Sequence, residues 1–153
     1  MELGHLVPRD AVIAALHADS KKQVLQELAL SAARKTGLDE REIFEALMQR
    51  ERLGSTGFGR GVAIPHVKLR HLSTTMCLFA RLKTPVEFDA PDGEPVDLIF
   101  LLLSPEHARG DHLKALAKVS RLVREPQTIA RLRAARDAAV IHDVLSSETV
   151  PVV

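Results

Sequence analysis

The chain has 153 residues, 46% hydrophobic and 27% charged, which is enough apolar side chain for one domain with its own core and too much for disorder. Lys and Arg total 21 against 20 Asp and Glu, so a net charge of +1 offers no field to gather nucleic acid or an anionic membrane. With no Trp, no Tyr and five Phe there is no platform for stacking bases, and the single cysteine, Cys77, excludes an internal disulfide and a Cys-based zinc site.

The start, Met1-Glu2-Leu3-Gly4-His5, lacks the basic and apolar regions of a signal peptide. The longest apolar run, near Leu98 to Leu103, falls far short of the ~20 residues of a membrane span. A cytoplasmic protein is expected. Val12 to Leu16 reads as a short buried strand. Ser20 opens a helix, with Gln23 at capping-box spacing, Val24, Leu25, Leu28, Ala29 and Ala32 at helical period, and Gly37 as the stop. Asp39 caps a second helix, whose stripe is Ile43, Phe44 and Leu47 and which ends before Gly54. Val62-Ala63-Ile64 is extended and is ended by Pro65. A strand is predicted from Thr75 to Lys83, then a turn at Asp92-Gly93, then a strand from Val96 to Ser104 apolar enough to be buried on both faces. Asp111 caps a helix to about Arg124 with Leu113, Leu116, Ala117 and Ser120 along one side, and Pro126 and Asp137 open two shorter helices. The last is buried through Ile141, Val144 and Leu145. The order predicts a single α/β domain with a central mixed β-sheet and helices on both faces.

Four of the eight glycines, Gly54, Gly57, Gly59 and Gly61, fall in one eight-residue window. Such a loop can adopt positive φ and bring backbone N–H groups near an anion. It is neither a Walker loop nor a dinucleotide fingerprint, because no Gly-Lys-Ser/Thr follows and a short extended stretch with Pro65 comes next. His66 follows directly. Pro65 restricts the backbone ahead of it, and Arg50, Arg52, Arg60 and Lys68 are close in sequence. A neutral imidazole is a good nucleophile toward phosphorus, and cations nearby would stabilise phosphoryl oxygens. The seven histidines do not read as metal ligands: His66/His71 and His107/His112 are five apart, which misses the i, i+4 spacing of a helical zinc site. His5, His17 and His142 read as surface or capping residues. His112 falls in the first turn of a helix that follows a strand end, where α/β domains gather anionic ligands.

The stretch from Arg50 to His66, Arg-Glu-Arg-Leu-Gly-Ser-Thr-Gly-Phe-Gly-Arg-Gly-Val-Ala-Ile-Pro-His, resembles the signature of the fructose/mannitol-type EIIA domains of the bacterial phosphotransferase system nearly residue for residue. Phe88 to Leu98, Leu101 to Pro105 and His112-Leu113 extend the likeness, so that it covers about the whole of residues 1–153 as one EIIA domain. The resemblance implies a mixed sheet with flanking helices and a phosphoryl carrier. In it His66 accepts phosphate from an HPr-like phosphocarrier protein, His112 is the second histidine of the site, and Arg50 neutralises charge. Ser55, Thr56 and the loop amides are further expected phosphate donors. No cofactor and no metal is expected. The Gly-Ser-Thr-Gly form and the compact chain resemble the nitrogen-related branch, which implies a phosphorylation-dependent regulator of other proteins. The alternatives are a sugar EIIA that passes phosphate to EIIB and a binding domain that keeps only the fold. Two positions depart from the pattern: Val67 stands where Gly is usual and Arg60 where Asn is frequent. Phe58 and Val67 are the expected apolar contacts around the site, with Arg60 and Lys68 as its basic rim.

Overall fold

The computed structural model describes residues 3–147. The strands are β1 (Val12–Leu16), β2 (Gly57–Gly59), β3 (Val62–Ala63), β4 (His66–Leu69), β5 (Met76–Val86) and β6 (Val96–Pro105). The helices are α1 (Leu3–Leu6), α2 (Lys21–Thr36), α3 (Glu40–Leu53), α4 (Arg109–Leu122), α5 (Pro126–Ala134) and α6 (Ala138–Ser147), with a 3-10 turn at Arg9–Ala11. Among the described residues no helix is long and apolar enough to cross a membrane.

The sheet forms around β6. Every residue from Leu98 to Leu103 is fully buried. Side chains alternate sides along a strand, so both faces of β6 are covered. β5 pairs antiparallel with it, setting Phe79 edge-on to Phe100 with ring centroids 5.0 Å apart. β1 lies parallel on the outer side of β5. The opposite edge of β6 receives β3 and then β4, both parallel to it, and β2 folds back antiparallel on β3. The sheet is therefore mixed, as expected. α2 and α3 pack on each other and α3 packs on β4; α4 packs on β6 and α6 on β1, with α1 and α5 against α6.

The strand expected to end at Pro65 continues beyond it as β4. Proline contributes no ladder N–H, but its carbonyl accepts from Leu102 N–H at 2.8 Å, so pairing to β6 carries across the break. His66 thus sits where two short strands meet the central one. Capping follows the sequence with small differences. Ser20 Oγ accepts from Gln23 N–H at 3.2 Å, while the Gln23 side-chain Oε1 accepts from Asp19 N–H at 2.7 Å rather than from that of Ser20. Asp39 is the N-cap of α3 without a side-chain bond. Asp111 is not a cap: α4 begins two residues earlier, at Arg109, which leaves Asp111 in the first turn. The buried face of α4 also differs from the expected stripe. His112, Ala115, Val119 and Leu122 face inward, and Leu113 stays 65% exposed. Moving the helix start did not decide this. The sheet selects the face that carries His112.

Arg60 is the residue with φ +58 between Gly59 and Gly61, at the tip of the β2–β3 hairpin. A side chain there costs on the order of 1 kcal/mol, less for Asn, which explains why Asn suits the position. Asp92 Oδ2 accepts the Arg60 N–H at 2.9 Å and Arg133 donates to its carbonyl at 2.6 Å, so the strained turn is held from both sides. Val67 needs no such allowance. It lies in β4 opposite Leu103, outside the left-handed region, where a β-branched side chain is at ease. His142, expected at the surface or as a cap, is half-buried and donates Nε2–H to the Val7 carbonyl at 3.0 Å.

Candidate functional site

An open cleft of about 670 Å³ is lined by Arg50, Arg52 and Leu53 from the end of α3, His66, Val67 and Lys68 from β4, and His112 from α4. Three segments far apart in sequence converge there because β4 and the end of β6 run side by side and α4 starts just past β6. The rings of His66 and His112 have centroids 5.7 Å apart and are tilted by 51°. One phosphoryl group can touch both at that separation.

The two imidazoles are held by different partners. His66 Nδ1 lies 2.8 Å from the Ile64 carbonyl. A carbonyl only accepts, so Nδ1 carries the proton and Nε2 keeps its lone pair. His112 Nδ1 lies 2.7 Å from the Ser104 hydroxyl, which is wholly buried on β6. A neutral ring that accepts the Ser104 O–H at Nδ1 carries its own proton on Nε2, on the opposite side of the ring. His66 is thus arranged to present a lone pair, and His112 offers Nε2–H when Ser104 donates to its Nδ1. Burial lowers the pKa of His66; the Ile64 carbonyl acts to raise it, Arg50 lowers it further and Glu51 raises it. Burial also lowers that of His112, followed by the positive charge of His66 and of Lys68. Both shifts favour the neutral ring, the form that a nucleophile and a neutral donor require.

Arg50 donates one Nη1–H to the Gly54 carbonyl at 3.0 Å. That bond pins the guanidinium at the mouth of the cleft and satisfies a carbonyl just past the end of α3, leaving its other N–H donors for an anion. Ser55 and Thr56, expected as phosphate donors, are not among the cleft-lining residues. Ser55 Oγ donates to the Phe88 carbonyl at 2.6 Å and accepts from Gly57 N–H. Thr56 is buried, and both its N–H and its hydroxyl donate to Glu51. The glycines also serve packing. A Cβ on Gly57 would come within 2.8 Å of Ala90, and Gly61 combines φ +82 with the Arg133 guanidinium against its Cα. The window forms a tight hairpin that leads directly into His66. Nor does Phe58 line the cleft, and Arg60 points to the Arg124 carbonyl. The exposed apolar side chains near the histidines are Leu53, 85% exposed, and Leu113. Among the described residues no three His, Cys, Asp or Glu side chains converge as a metal cage would need.

The profile of the family described as "Phosphoenolpyruvate-dependent sugar phosphotransferase system, EIIA 2" matches residues 5–148. The chain belongs to this EIIA family. It is 54% identical over 146 residues to a nitrogen regulatory protein of Bradyrhizobium diazoefficiens, covering 95% of each chain. The nitrogen regulatory protein IIA-Ntr of Neisseria meningitidis has a solved structure that superposes with a TM-score of 0.88 at 38% identity, covering 94% of this chain and 98% of that one. IIA mannitol from Escherichia coli shares the EIIA fold, with a TM-score of 0.75 at 18% identity over 90% of this chain and 97% of that one. As a member of the EIIA family the protein is a phosphotransferase-system component.

Sequence reasoning did not single out Ser104, which looks there like the end of an apolar strand. A hydroxyl closing a run buried on both faces was the available signal, since such a group must find a partner. Glu51 was legible as part of the signature but had no role until the fold showed what surrounds it.

Proposed function

We propose that this EIIA protein is a histidine phosphoryl carrier that takes phosphate from an HPr-like protein and acts in the cytoplasm as a phosphorylation-dependent regulator. The observation that carries the reading is the pair of imidazoles 5.7 Å apart, His66 with its Nδ1 on the Ile64 carbonyl and His112 with its Nδ1 on the Ser104 hydroxyl. Likeness to nitrogen regulatory proteins supports the regulatory role over a sugar-transport one.

His66 Nε2 attacks the phosphorus of a donor phosphohistidine. The P–N bond of the donor breaks as the P–Nε2 bond forms. The donor ring, protonated on its other nitrogen, leaves as neutral imidazole, and His66 becomes a phosphoimidazolium that keeps its Nδ1–H on the Ile64 carbonyl. Reactants and products have the same bonds and charges, so the exchange is near balance and reversible. The transition state is loose, and positioning with charge stabilisation supplies the rate. Arg50 and His112 Nε2–H contribute that charge stabilisation at the phosphoryl oxygens. Phosphorylation then adds up to about two negative charges and three acceptor oxygens beside exposed Leu53 and Leu113, which changes what can dock there.

The test is incubation with a phosphorylated HPr-like protein, followed by peptide mass spectrometry and phosphorus NMR. Base-stable, acid-labile phosphate on His66 Nε2 alone is expected. Phosphate on Ser55, Thr56 or His112 overturns the assignment. Equal binding of an identified target by the free protein, the phosphorylated protein and the His66→Asp variant overturns the regulatory role.

A further inference from the structure

Glu51 has a side chain only 7% exposed, and nothing in the transfer chemistry uses it. A buried carboxylate persists only when its oxygens are satisfied. Here Lys21 Nζ lies 3.0 Å from Oε1, Thr56 N–H donates to the same oxygen at 3.0 Å, and the Thr56 hydroxyl donates to Oε2 at 2.5 Å. Lys21 also sits over the Phe88 ring, 4.7 Å from its centroid, and donates to the Phe88 carbonyl.

The bonding does not stop at Thr56. Its carbonyl accepts from Ile64 N–H at 2.9 Å, and the Ile64 carbonyl accepts from His66 Nδ1–H at 2.8 Å. Pro65 narrows the ψ of Ile64, and the Pro65 carbonyl is itself held by Leu102 N–H. With one end of the Ile64-Pro65 unit tied to β6, the direction of the Ile64 carbonyl depends on where Thr56 holds the other end.

We infer that Glu51, held by Lys21, is a positioning residue: by clamping Thr56 it aims the Ile64 carbonyl that orients the His66 ring and keeps its Nε2 free of a proton. This rests on His66 being the phosphoryl acceptor. It also assigns Thr56 a task that its buried hydroxyl can perform. Two adjacent residues at the end of α3 then divide the work, Arg50 facing the cleft and Glu51 facing the loop.

The test uses Glu51→Ala, Thr56→Val and Thr56→Ser in the full chain. Long-range proton–nitrogen NMR reads the His66 tautomer, phosphoramidate serves as a small P–N donor for the rate, and circular dichroism reads the folded fraction. Thr56→Val keeps the shape and removes only the hydroxyl, so it answers the question if Glu51→Ala does not fold. Both are expected to lower the Nδ1–H fraction of His66 and slow phosphorylation about 10–100-fold, as misplacement of a reacting group by about 1 Å does. Thr56→Ser restores both. A folded variant with the wild-type tautomer overturns the inference, whether its rate is unchanged within about twofold, the spread of a neutral substitution, or lost. A wild-type protein that shows the Nδ1–H tautomer yet takes no phosphate on His66 overturns the acceptor reading instead.

Discussion

Replacing Arg50 by Gln separates two effects that act through one guanidinium. The positive charge holds the pKa of His66 down, and its free N–H groups face the place where phosphoryl oxygens would lie. Loss of the charge lets that pKa rise, so protonation disables the nucleophile at a higher pH. The acid limb of the pH–rate profile therefore moves toward neutral. Loss of a charge-assisted donor to the transferring group lowers the plateau by about 10²–10³-fold, equivalent to about 2.7–4 kcal/mol. Arg50→Lys keeps the charge but lacks the planar fork needed to bond the Gly54 carbonyl at 3.0 Å and still reach an anion. Its acid limb should stay at the wild-type position while the plateau falls by less than for Gln. The assay is the rate of phosphorylation by phosphoramidate from about pH 5 to 8, a window that brackets imidazole titration, with the His66 ring titrated in parallel by NMR. An Arg50→Gln protein with an unmoved acid limb and a plateau within about twofold of wild type would take Arg50 out of the site.

His112→Ala should still accept phosphate on His66 but about 10–1000-fold more slowly, the loss of one transition-state donor; phosphorus NMR showing an unchanged rate would leave His112 no part in transfer. Leu53→Asp and Leu113→Asp should slow phosphorylation by a protein donor and leave phosphoramidate unaffected, because both side chains lie exposed beside the histidines; equal slowing of both donors would mean damage to the site. Arg81→Ala should cost about 2–4 kcal/mol of stability in denaturant melts, since its guanidinium donates to the carbonyls of Ala14, Leu132, Arg133 and Ala135 and joins β1 and β5 to the end of α5. Stability should also fall as pH drops below 6.5. His66 and His112 both have folded-state pKa values lowered by burial, so the unfolded chain binds protons first, and above that range the effect vanishes.

The local sequence determined much of this protein. Ser20 and Gly37 bound α2, and the unbroken apolar run of β6 marks the centre of the sheet, because caps and hydrophobic runs act within a few residues of themselves. His66 and Arg50 were readable from the same short signature, whose glycines and Pro65 constrain the backbone locally. Other features depended on partners far along the chain. β2 and β4 are too short to declare themselves and exist because β3 and β6 offer their edges. The turn of α4 that buries His112 and exposes Leu113 was chosen by packing on β6, as helical period alone permits either face. Ser55 and Thr56 look like phosphate donors until Phe88 and Glu51 claim their hydroxyls. The meeting of His66 with His112 belongs to the same class. Residues 46 positions apart become neighbours only when β4 aligns beside β6, since a hydrogen-bonded ladder fixes a register that no local propensity contains.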